Sequence, residues 1–158
     1  MNTALTSFPA DLMRYLALER VSVQWAGFLG AFSEELQAQL GSMASRDLLV
    51  RAGERFSLAH DLLGCGSLGE VESAVNQIWH RIRWGYAVFT DKGSSLLIEH
   101  YACPIPAAMQ LEPHFASGFL EGAYAGWLKS AGAPSDLKLV CTTGANQPMC
   151  MTFELVAR

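Results

Sequence analysis

The chain has 158 residues and a mass of 17.2 kDa, the size of one ordinary domain. It is 51% hydrophobic and only 16% charged, against about 25% charged in a typical soluble domain; this excludes disorder and points to surface hidden in an oligomer. The net charge of −4 and 11 scattered basic residues argue against a phosphate-tracking groove, and no apolar run nears the ~20 residues of a membrane-spanning helix.

In chain order the first half reads helical. Residues 1–8 form an uncharged leader. Pro9 and Asp11 suit a helix start, giving a short helix from Ala10 to Glu19. A second helix shows Trp25, Phe28, Phe32, Leu36 and Leu40 at helical spacing and ends near Gly41. A third carries Leu49, Ala52, Phe56 and Leu63 on one face, with Arg46, Arg51, Glu54 and Arg55 elsewhere, and stops at Gly64-Cys65-Gly66. Ser67 and Glu70 make a capping box for a helix presenting Val71, Ala74, Val75, Ile78 and Ile82.

The period changes at Trp84-Gly85. Tyr86–Thr90 and Leu96–Tyr101 flank a turn with Gly93, a hairpin pattern. Pro104, Pro106 and Pro113 bracket a loop. A helix from Pro113 to Ser130 is stopped by Gly132 and Pro134. Strands over Leu137–Thr142 and Met149–Val156 close the chain. The expectation is one α+β domain over residues 1–158, mainly helical over 9–83, then strand-strand-helix-strand-strand with an antiparallel sheet over 84–158.

Catalytic patterns fail on context. Gly64-Cys-Gly-Ser-Leu-Gly69 spells G-x-G-x-x-G, but the phosphate-binding version needs a strand before it and an acidic residue about 20 positions on. Here it joins two helices, so termination and capping explain it. His100, Cys103 and His114 supply one short metal-type pair with no second. Ser117 lies inside a helix, where hydroxyls back-bond. Glu99, Glu112 and Glu121 have no set separation and read as ordinary surface carboxylates. No enzyme, metal or cofactor is expected.

The informative pattern is Gly118, Gly122 and Gly126, at i, i+4 and i+8 on one helix. Each costs about 1 kcal/mol relative to Ala, so the smooth face must admit a close neighbour. Two neighbours stand open: a second subunit, with Tyr124 and Trp127 beside the contact, or another element of the same monomer.

Three blocks carry a family resemblance. Arg46-Asp-Leu-Leu49-x-x-Ala-Gly53, Trp84-Gly-Tyr86 and Leu120-Glu-Gly-Ala-Tyr124-Ala-Gly-Trp127 resemble the D subunit of bacterial cellulose synthase, in a pattern running from Phe28 to Arg158. The resemblance implies a non-catalytic accessory protein of cellulose export and crystallisation, assembled from dimers into a ring-like homo-octamer. It further implies self-association, contact with other cellulose synthase subunits, and passage of β-1,4-glucan chains along N-terminal segments. Asn2, Thr3, Thr6, Ser7 and Phe8 have the chemistry for such a wall, since hydroxyls and amides exchange hydrogen bonds with sugar through water. The competing reading is a small-molecule or haem sensor built on His80, His100 or His114. Four cysteines without a tight framework, and no secretory signal, point to the cytoplasm beside the inner membrane, with the periplasm as alternative.

Overall fold

A computed structural model describes residues 10–62, 64–142 and 149–157. Among the described residues five helices and four strands follow one another: α1 (Ala10–Glu19), α2 (Val23–Ala59), α3 (Leu68–Ile82), β1 (Tyr86–Asp91), β2 (Leu96–Tyr101), α4 (Ile105–Met109), α5 (Pro113–Ser130), β3 (Leu137–Cys141) and β4 (Cys150–Ala157). The strands form one antiparallel sheet in the order β1-β2-β4-β3. The α+β expectation therefore holds, with helices leading into a four-stranded antiparallel sheet.

Local chemistry sets most boundaries. The Glu70 backbone N–H donates to Ser67 Oγ at 3.3 Å, while Glu70 Oε2 accepts from the N–H groups of Gly66 and Ser67. The expected capping box thus opens α3, and the glycine string before it serves as a helix start. In the β1–β2 hairpin Asp91 Oδ1 accepts from the Gly93 N–H at 2.7 Å, fixing the turn. At the end of α5 the Ala133 N–H returns to the Leu128 carbonyl, the 6→1 bond of a glycine-type stop.

The helical path breaks at Gly41, where the sequence ends its second helix: a φ of 74° and ψ of 168° kink α2 there and separate its two halves, a conformation that glycine adopts without a Cβ penalty. Buried Ser45 bridges the break, donating to the carbonyls of Gly41 (2.8 Å) and Leu36 (3.1 Å). The helix after the kink ends at Ala59, before the glycine string. The proline-bracketed loop also contains a short helix, α4, with Pro106 in its first turn, where a missing N–H costs nothing.

The core lies between α5 and the inner sheet face. Ile98 and His100 from β2 and Met151 and Phe153 from β4 meet Leu120, Tyr124 and Trp127 of α5. α3 closes one side with Val71, Val75, Ile78 and Trp79. It also covers the outer edge of β1: Asn76 accepts from the Ala87 N–H (2.7 Å) and donates to the Ala87 carbonyl (2.8 Å), and Glu72 accepts from the Phe89 N–H (2.8 Å). These side chains replace a missing strand and block edge pairing there.

Candidate functional site

Amphipathic helices ordinarily bury their large residues and show their small ones. α2 does the reverse. Its buried positions are Gly30, Ser33, Ser45, Leu49, Gly53 and Ser57, while Trp25 (57% exposed), Phe28 (59%) and Phe32 (48%) stand outside. These three rings form a ladder, Trp25 edge-on to Phe28 and Phe28 stacked on Phe32, with centroids 6.0 Å apart at each step. Val23, Leu40 and Met43 of α2 and Leu12, Tyr15, Leu16 and Leu18 of α1 are also exposed. The spacing of the aromatic residues was legible in the sequence; that they stand exposed among the described residues was not.

The small residues of α2 explain this inversion. A Cβ added at Gly122 would overlap the Val50 carbonyl, one at Gly118 would lie 3.0 Å from the Arg46 carbonyl oxygen, and one at Gly126 would overlap Ser57 Oγ. Reciprocally, a Cβ at Gly53 would overlap the Phe119 carbonyl. Gly118, Gly122 and Gly126 thus seat α2 of the same chain, and backbone meets backbone at the crossing. Of the two neighbours left open by the sequence, the structure shows the intramolecular one, and the glycine face holds no space for a helix from another copy. Tyr124 and Trp127 are likewise interior: the Trp127 indole N–H donates to the His60 carbonyl at 2.9 Å, and Tyr124 is fully buried. Gly53, the partner glycine on α2, went unmatched in the sequence because its mate, Gly122, lies far along the chain on another helix.

The α2–α5 contact also holds Arg46, whose guanidinium pairs with Glu121 at 2.5 Å. His100 sits in the core with both ring nitrogens engaged. Nε2 lies 2.7 Å from the Trp84 carbonyl and Nδ1 lies 2.5 Å from Tyr124 Oη. A carbonyl only accepts, so Nε2 carries the proton and Nδ1 accepts from the tyrosine O–H. The Trp79 indole N–H completes the chain by donating to Tyr124 Oη at 3.1 Å. Burial pulls the His100 pKa down to about 4, against a smaller opposing effect of the Trp84 carbonyl. Burial likewise pushes the Tyr124 phenol well above its ordinary value and the Cys103 thiol up to about 12.

The remaining sequence candidates are dispersed. Ser117 Oγ donates to the His114 carbonyl at 2.6 Å, the back-bonded geometry expected of it. Glu99 accepts from the Tyr101 hydroxyl at 3.1 Å. Glu112 is the N-cap position of α5. Among the described residues no group of three or more His, Cys, Asp or Glu side chains converges as metal ligands do, and no helix is long and apolar enough to cross a membrane. Asn2, Thr3, Thr6, Ser7 and Phe8 lie outside the described residues.

No curated protein matches the chain. The family model for the D subunit of cellulose synthase matches residues 11–154, a span that takes in the kinked α2, the glycine-packed α5, strands β1 to β3 and the first half of β4; the chain belongs to the family of cellulose synthase D subunits.

Proposed function

We propose that the protein is a non-catalytic accessory subunit of the cellulose synthase complex, a homo-octamer built from dimers that guides nascent β-1,4-glucan chains toward export and crystallisation. Family membership supports the role in cellulose synthesis. The observation that supports assembly is the exposed ladder of Trp25, Phe28 and Phe32 on the N-terminal half of α2. Exposed apolar surface of this kind marks an interaction site, and a second copy of the same face is the simplest cover for it under twofold symmetry.

A conduit for a polymer must bind it weakly at many points, because tight binding would stall it. The uncharged leader, with Asn2, Thr3, Thr6, Ser7 and Phe8, fits that requirement: amide and hydroxyl groups trade hydrogen bonds with sugar at little net cost. The compartment proposed is the cytoplasmic side of the inner membrane, a reducing environment that suits a chain with four cysteines in no tight framework.

Light scattering behind a sizing column tests the assembly. Eight copies of 17.2 kDa make about 138 kDa, and a single species of that mass is the expected result. A monomer or plain dimer would overturn the ring. For the glucan role, replacing Asn2, Thr3 and Thr6 with bulky residues should lower cellulose crystallinity while leaving that mass unchanged. Unaltered cellulose would remove the leader from the conduit.

A further inference from the structure

A cavity of about 390 Å³ opens where the α1–α2 hinge meets α4 and α5, within the range of about 300–1,000 Å³ usual for ligand pockets. Its walls include Trp25, Leu29, Leu49, Trp84, Met109 and Phe119; among the described residues Arg20 is the only charged lining residue and Ser22 the only hydroxyl. A sugar or peptide backbone buried there would leave most of its polar groups without partners. The interior therefore suits hydrocarbon.

The rim is different. Arg20 also lines an adjoining groove of about 610 Å³, together with Glu19, His80 and Arg83. Arg20 and Arg83 are both exposed, and neither forms an ion pair among the described residues. Among the described residues the groove thus carries one carboxylate, two guanidiniums outside any ion pair and an imidazole, in a chain of net charge −4. An apolar slot with Arg20 in its wall and Arg83 in the groove that Arg20 shares is complementary to a molecule with the opposite pattern.

We infer that this cavity binds a single-chain anionic amphiphile, with its acyl chain against Trp25, Trp84 and Phe119 and its carboxylate or phosphate on Arg20 and Arg83. The inference does not depend on glucan handling, and every group it uses lies in one chain, Trp25 being shared with the face proposed for assembly. An acidic peptide with an aromatic anchor shares the charge pattern but would bring backbone N–H and C=O groups that the apolar walls do not match.

The test uses the full chain and monomeric dodecanoate below its micelle concentration, in a brominated form that quenches tryptophan on contact. Saturable quenching with one dodecanoate per chain by native mass spectrometry is expected. Arg20→Glu with Arg83→Gln should weaken binding roughly tenfold or more, the worth of a charged hydrogen bond. Dodecanol, which has no anion, should bind more weakly and ignore those substitutions. Ala108→Phe, at a lining position, should abolish uptake; if that variant fails to fold, the exposed arginine substitutions still decide. Absence of saturable quenching, quenching indifferent to the arginine substitutions, binding only to phosphatidylglycerol vesicles, or capture of an acidic aromatic peptide with dodecanoate inert would each overturn the proposal.

Discussion

His100 is a polar side chain held in an apolar core because every one of its polar atoms has a partner. The chain from Trp79 through Tyr124 to His100 and the Trp84 carbonyl uses each donor once, so the neutral ring is satisfied and its cation is not. Its pKa of about 4 lies below the ordinary 6.5. Between those values the unfolded chain takes up a proton that the folded chain refuses, so stability falls as pH drops from 6.5 toward 4. The full difference amounts to about 3 kcal/mol. Urea unfolding across that range should show the slope, and His100→Gln should flatten it. Tyr124→Phe removes the donor to Nδ1 and the acceptor for the Trp79 N–H together. A loss of about 2–4 kcal/mol is expected at neutral pH by denaturant titration.

Among the elements, the α2–α5 crossing depends on absent side chains. Gly122→Ala would gain about 1 kcal/mol of helix propensity. It would nevertheless destabilise the protein by about 2 kcal/mol or more, because the new Cβ meets backbone that has no rotamer to change. Gly69→Ala is the control: it lies in α3 with nothing within 4 Å of the added Cβ, and a small rise in melting temperature is expected. Asn76→Ala would leave the Ala87 N–H and carbonyl without their partners. Its signatures are faster amide exchange along β1 and a loss of about 1–3 kcal/mol. The β1 edge would then be open to pairing.

For the whole molecule, the inverted α2 separates folding from assembly. The residues that hold the fold are the small ones facing α5, whereas Phe28 and Phe32 stand about half exposed on the other side of the helix. Replacing Phe28 and Phe32 together with Glu should leave the circular dichroism spectrum and melting temperature nearly unchanged and reduce the mass found by light scattering. If the mass persists, the copies meet through another surface.

What could be read from the residues alone was local. The capping box at Ser67 and Glu70, the turn at Gly93, the break at Gly41, the α5 span and the alternation of the strands rest on dihedral preferences and hydrogen bonds within a few residues. Three short blocks were enough to point to the family. Long-range packing settled what each face meets. It set Gly53 against Phe119 and Ala123 and Gly122 against Val50, turned Trp25, Phe28 and Phe32 outward, closed the β1 edge with Asn76, and enclosed His100 with Trp79, Trp84 and Tyr124. A glycine stripe or an aromatic ladder states that something must pack closely or be covered. Its partner lies dozens of residues away or in another chain, and helical periodicity is the same for an element facing its own core and for one facing a neighbour.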